Sequence, residues 1–273
     1  MIANVLYSLP SWVAAVLLTG LVLLFALAGQ LVVHRAVPAD ERRRHNDLTG
    51  PISALVGIVF AVLIAFVAVA VWQQFDATDR NVVLEASAVS DLYRQAFGYP
   101  EPLRSKVRQS ARTYLDVVIN EEWPLQRRGK FSVTAWQTLE AAHRDMLVFE
   151  PTSEGETLVH REQLAKMSEV MALRRARIYA INQGIAPQVW TVMIIGIGLM
   201  IAMSWFFGAD SLRVHLALTT CLAVSIGLAL YLIAGLDYPL RGDLAVTSEA
   251  FESVRANLTR LTSDEATDAT SKR

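Results

Sequence analysis

Cysteine occurs once in the chain, at Cys221, so no intrachain disulfide can form and nothing follows about redox compartment. Lying within an apolar run, it reads as a buried packing thiol. Charged residues make up only 19% of the chain, below the usual quarter, and the two signs nearly cancel at a formal net charge of -1. With no stripe of basic and aromatic residues, this balance gives no electrostatic case for nucleic acid. The five histidines, His34, His45, His143, His160 and His215, are scattered without metal-ligand spacing. Each reads as a surface or interfacial residue, and neither a metal nor any other cofactor is expected. HExxH, CxxC, GxSxG, Walker-loop and dinucleotide patterns are missing. Glu121 and Glu122 are adjacent acids, but neighbours on a helix point about 100° apart and do not share a site. No enzyme is expected.

What the chain has in abundance is apolar residues, 53% of the total. They form four runs that meet the roughly 18-residue criterion for crossing a hydrocarbon core, at residues 12–33, 52–72, 187–207 and 212–236. The first run is about twice as long as a signal-peptide core, has no basic flank before it and no small-residue cleavage site after it, so it reads as a retained span. The central stretches of the runs carry no Asp, Glu, Lys, Arg or His, which weighs against proton relay or charge-coupled transport. The chain is therefore expected to be an all-α integral membrane protein. A hairpin over 1–73 precedes a helical soluble domain over 74–186, a second hairpin occupies 187–236, and residues 237–273 form a turn, a short helix over 248–261 and a disordered tail.

Within the soluble domain, apolar positions recur at helical spacing. The first helix continues the second span without a breaker, and GYPEP, residues 98–102, ends it because Pro cannot continue a helix. A second helix is expected over 103–122, with Val107, Ala111, Tyr114, Val118 and Ile119 on its inner face and Trp123-Pro124 as its stop. A third covers 133–148, and a fourth runs from about residue 157 toward the third span. Glu85 and Tyr93 lie eight positions apart, nearly on one helical face. Together with Arg94, Tyr114 and Trp123 they are expected to form a buried or half-buried polar cluster that ties the first two soluble helices together.

In the second span, Gly50, Ala54, Gly57, Ala61, Ala65 and Ala68 recur at spacings of three and four. Such a stripe is a tight helix seam, or else the stripe itself or the flank carrying Phe60 and Leu63 lines a pore in an oligomer. Just before this span stand Arg42, Arg43, Arg44, His45, Asn46 and Asp47. The asparagine or aspartate can cap the helix start, and Pro51 suits a first turn. The arginines are either a topology signal or a ring of charge at a pore mouth. Basic residues near the spans are tied at five per side: Arg35, Arg42, Arg43, Arg44 and Arg213 against Arg80, Arg174, Arg175, Arg177 and Arg241.

HNDLTGPISALVGIVFAVLIAFVAVAVWQQFDATDRNVVLEASAVSDLYRQAF, then GYPEPLR, Tyr114, NEEWP, RRARIY, PQVW and LDYPLRGD, appear in this order between His45 and Asp243. This series resembles the bestrophin-like family of bacterial membrane proteins, a family of unknown function likened to the bestrophin anion channels. The resemblance implies a homo-oligomer in the bacterial inner membrane, embedded in a lipid bilayer, with the soluble domain and both termini in the cytosol. It implies inorganic anions as the permeant species and a pore lined by the second span, where Gly57, Phe60, Ala61, Leu63, Ile64 and Phe66 stand. The sequence departs from animal bestrophins after the fourth span, where only Asp237 and Asp243 replace their acidic calcium-binding run. The other reading is a non-conducting membrane scaffold or sensor whose helical domain binds a partner.

Overall fold

The computed structural model describes Tyr7 and residues 9–271, with side chains described as far as residue 262. Among the described residues the chain is entirely helical. The helices are α1 (Ser11–Ala36), α2 (Ala39–Arg44), α3 (Asn46–Gln95), α4 (Leu103–Val117), α5 (Trp123–Gln126), α6 (Val133–Leu147), α7 (Glu154–Ala180), α8 (Pro187–Trp205), α9 (Leu212–Leu236) and α10 (Glu249–Ser271). Four of them, α1, α3, α8 and α9, are long and apolar enough to cross a membrane.

The chain divides into two compact units. The apolar unit contains α1, α2, the first part of α3, α8 and α9. Its core is built from Ala26 of α1, Val67 and Val71 of α3, Met193, Ile197 and Ile201 of α8, and Ala223, Ile226 and Ile233 of α9. Helices α1 and α9 run antiparallel, since Gln30 meets His215 at one end and the Tyr7 hydroxyl donates to the Ala234 carbonyl at the other. Where they cross, a Cβ on Gly227 would stand 2.7 Å from the Thr19 Cα, so only glycine permits that approach. Cys221 lies on an exposed face of α9, not in the core as expected, because the neighbouring Ala223 takes the inward position.

The polar unit contains residues 76–183 and 239–241 with the chain from Ala245 onward. Leu103, Val107, Ala111, Tyr114, Leu115 and Val118 are buried on one face of α4, spaced as an amphipathic helix requires. Ser132 and Ser153 cap α6 and α7 by accepting from the backbone N–H groups of Thr134 and Glu156. Glu156 reaches back to the Thr152 N–H at 2.7 Å, which completes a reciprocal cap and lowers its carboxyl below the usual value.

Three boundaries differ from expectation. Helix α3 begins at Asn46, ahead of Pro51, because Leu48 and Thr49 donate to the His45 carbonyl and carry the turn into the helix. Trp123-Pro124 does not stop the second soluble helix: residues Val118–Glu122 form one wide π turn that feeds into α5, whose first turn accepts Pro124. The last helix, expected to end near Leu261, runs to Ser271, and residues 272 and 273 of the expected disordered tail lie outside those described.

Candidate functional site

The apolar stretch of α3 is the most apolar of those in the four long helices and the least covered: 11% of it is buried, against 17% in α1, 22% in α8 and 28% in α9. Its inward side packs Phe60 against Gly196 of α8, and Ile64 lies against the core beside Val67 and Val71. A Cβ at Gly196 would collide with the Phe60 ring. Gly57 and Leu63 are half-buried, whereas Ala61 and Phe66 are exposed. The six residues expected to line a pore therefore do not share one face. Phe60 and Ile64 are packing residues within the chain, while Ala54, Ala61 and Ala65, together with Ile58, Val62 and Phe66, form a broad uncovered surface.

At one end of the apolar unit the two hairpin turns meet. Arg42 is 3% exposed, and its Nη1 donates to the Trp205 and Phe207 carbonyls at 3.2 and 3.3 Å while Nη2 meets His34 Nδ1 at 3.0 Å. It thus satisfies carbonyls left open at the end of α8, where a cation is also favoured by the helix dipole. Asn46 exchanges two hydrogen bonds with the backbone of Gly208, each 2.9 Å. His215 donates from Nε2 to the Ser204 carbonyl and accepts at Nδ1 from Gln30. The expected ring of three arginines is therefore dispersed. Arg42 is a buried cap, Arg43 pairs with Asp210 at 2.7 Å, and only Arg44 and His45 are exposed without such contacts. Consecutive helical residues point about 100° apart, which gives each arginine a different neighbour.

At the other end, Asp237 accepts from the Ile185 backbone N–H at 2.6 Å and from the Trp190 indole at 3.2 Å. Asp243 accepts from the Ser11 N–H at 3.0 Å. Both acids are engaged in holding chain segments together. Among the described residues no three His, Cys, Asp or Glu side chains converge as a metal site would require.

The polar unit encloses an ionic cluster of two acids and two arginines. Arg177, fully buried on α7, donates from Nε and Nη2 to Glu85 of α3 at 2.8 and 2.9 Å and from Nη1 to Glu122 at 3.0 Å. Arg174 donates to Glu122 at 2.6 Å and to the Ser132 carbonyl at 3.1 Å. The Tyr114 hydroxyl donates to Glu85. Trp123 and Phe251 cover the Arg177 guanidinium with ring centroids 5.4 and 5.5 Å away. Burial, reinforced by the Glu85 carboxylate, holds the Tyr114 phenol well above its ordinary value. Burial alone would lower Arg177, but the charge and hydrogen bonds of Glu85, with Tyr114 and Glu122, outweigh it and hold the guanidinium above its ordinary value. The π turn places Glu122 inside while Glu121 turns outward to Ser132 and Thr134.

Of the expected cluster, Glu85, Tyr114 and Trp123 come together here. Tyr93 is buried but separate, accepting from Arg108 and Arg112 at 2.7 and 2.5 Å, and Arg94 is exposed, one position past the buried face. Arg174, Arg177 and Glu122 were missed. A signal existed: Gln163, Met167, Val170, Met171, Arg174, Arg177 and Ile181 follow one three-to-four stripe, so two arginines occupy core positions of an otherwise apolar face.

The family model described as the Bestrophin-like domain matches residues 20–251. No curated protein matches the chain. Among solved structures, a bacterial bestrophin homologue from Klebsiella pneumoniae, determined by Zn-SAD phasing, aligns at 12% identity with a TM-score of 0.66, over 91% of this chain and 98% of that one. A single-mutation form of a Klebsiella pneumoniae homologue aligns at 12% identity and TM-score 0.67, over 90% of this chain and 99% of the other. A further structure, described only as a membrane protein, aligns at 14% identity and TM-score 0.66, over 90% and 98%. At these identities the likeness establishes the fold.

Proposed function

We propose, on the premise that this chain belongs to the Bestrophin-like family, that it assembles as a homo-oligomeric anion channel of the bacterial inner membrane, with the uncovered side of α3 lining the conduit. The observation that carries this reading is the mismatch in α3 between composition and cover: the most apolar of the four membrane-length stretches is also the least buried within its own chain. The apolar residues there require either lipid or other copies of the chain, and the alanines at 54, 61 and 65 permit close approach or leave room for a conduit. Apolar rings of this kind can gate by dewetting. The soluble unit and both termini are assigned to the cytosol, with Arg44 and His45 among the exposed polar residues near the extracytoplasmic mouth.

The test is reconstitution of the purified oligomer in a planar bilayer under a chloride gradient. Anion-selective current is expected. Ala61→Glu, which places charge on the uncovered face, is expected to lower anion preference, whereas Arg44→Gln has a smaller effect that shrinks at high salt. A folded, oligomeric protein that passes no current under any ion gradient removes the channel reading and leaves the scaffold.

A further inference from the structure

The hairpin end of the apolar unit holds a cavity of about 430 Å³ whose lining includes Arg42, Glu41, Thr49, Leu48, Ile52 and Met203. Its chemistry is divided. Leu48 and Ile52 belong to the first turns of α3 and are 65% and 53% exposed, so the apolar wall is open and continues along the long apolar helix. Arg42 stands on the polar side. Three of its contacts are made, to the Trp205 and Phe207 carbonyls and to His34, but its Nε–H has no acceptor although the residue is 3% exposed. A buried guanidinium N–H without a partner is unusual and leaves the site one acceptor short.

We propose that this cavity binds the headgroup of an anionic phospholipid, with an acyl chain lying along Leu48, Ile52 and Met203. Arg42 Nε is covered in this structure, and a small shift of the side chain toward the cavity lets the phosphate oxygens supply the missing acceptor, in a charge-assisted bond stronger than a neutral one. Glu41 on the rim, an acceptor only, suits a headgroup that also carries hydroxyls, as phosphatidylglycerol does. A soluble anion would leave the apolar wall wet. A zwitterionic lipid would bring its own cation to the arginine. This site is independent of whether the chain conducts.

Thermal unfolding of the full chain in an uncharged detergent tests the assignment, with dioleoylphosphatidylglycerol, dioleoylphosphatidylcholine or inorganic phosphate added. Phosphatidylglycerol at a hundredfold excess over its Kd is expected to raise Tm by about 5–10 °C, and the other two by much less. Ile52→Trp, at an exposed position that fills the cavity, is expected to abolish the difference between the two lipids without lowering Tm in their absence. If that variant does not fold, Leu48→Ala serves instead and is expected to weaken phosphatidylglycerol about fivefold by removing apolar contact. Arg44→Gln, outside the cavity lining, should leave the increment intact. Equal shifts from both lipids, the full shift from phosphate alone, an increment that survives Ile52→Trp or is undiminished by Leu48→Ala, or one lost with Arg44→Gln would each overturn the proposal.

Discussion

Replacing Arg177 by methionine keeps an unbranched apolar stem and removes the guanidinium with its charge. In the native cluster two acids, Glu85 and Glu122, face two arginines. After the substitution Glu122 retains Arg174, but Glu85 loses its cation and stands as a buried carboxylate held by the Tyr114 hydroxyl. Breaking a buried ion pair by removing one partner costs about 3–5 kcal/mol, most of it the desolvation of the charge left behind. Loss of the two ring contacts adds about 0.5–2 kcal/mol. For a domain of ordinary stability, about 5–15 kcal/mol, this is about a quarter or more of the total. At about 2–4 °C per kcal/mol the midpoint falls by roughly 7–28 °C. Tryptophan fluorescence during heating reads the effect directly, since Trp123 and Trp136 lie beside the two arginines. The diagnostic variant is the double substitution Arg177→Met with Glu85→Gln, which removes one charge of each sign. It is expected to recover more than half of the loss, because the penalty is the unpaired charge and not the missing bonds. A single variant that loses less than 1 kcal/mol, or a double variant in which the two losses simply add, would refute the reasoning.

Two further outcomes follow from the same geometry. Burial holds Tyr114 well above the usual phenol value and pushes Tyr99 up to about 12, so both stay protonated in the folded chain while the unfolded chain releases these protons near pH 10. Their contribution is intact below about pH 10 and is lost as pH rises beyond it, by about 1.4 kcal/mol per pH unit for each group; unfolding midpoints from pH 8 to 11.5, with Tyr99→Phe flattening the decline, check this. Gly196 and Gly198 sit two positions apart on α8, one against the Phe60 ring and the other with nothing within 4 Å of an added Cβ. Gly196→Val is expected to cost about 1–3 kcal/mol by overpacking and Gly198→Ala to be tolerated, as melting in detergent will report.

The four spans were legible because their length and lack of charge are set by the bilayer itself, and the continuity of α3 was legible because nothing between Pro51 and Gly98 breaks a helix. The direction in which α3 faces was not. A helix that is apolar all round has no polar side to mark solvent, so the spacing of its small residues could suggest a stripe but not which neighbour it meets. Phe60 turned inward because α8 offers a glycine opposite it, a fact contained in a segment more than a hundred residues away. The fate of the arginines was hidden for the opposite reason. Adjacency in sequence suggested one cluster, whereas on a helix adjacent side chains diverge, the argument that separated Glu121 from Glu122. The core arginines of α7 were visible as interruptions of an apolar stripe, but their acids come from α3 and from a π turn that no local pattern announces.

The joined hairpin turns also bear on the order in which the protein is made. Arg42 and Asn46 are synthesised with the first hairpin, but the carbonyls they hold, at Trp205, Phe207 and Gly208, belong to residues more than 160 positions later in the chain. Until the second hairpin arrives, Arg42 has at most its neighbour His34 and must keep its charge in contact with water or headgroups at the membrane edge. In the folded chain it is α8 and the turn after it that complete the hydrogen bonding of Arg42 and bury its guanidinium. Assembly of the apolar unit is in this sense templated: the early segment carries the anchor point, and the late segment is recognised by the backbone it leaves open.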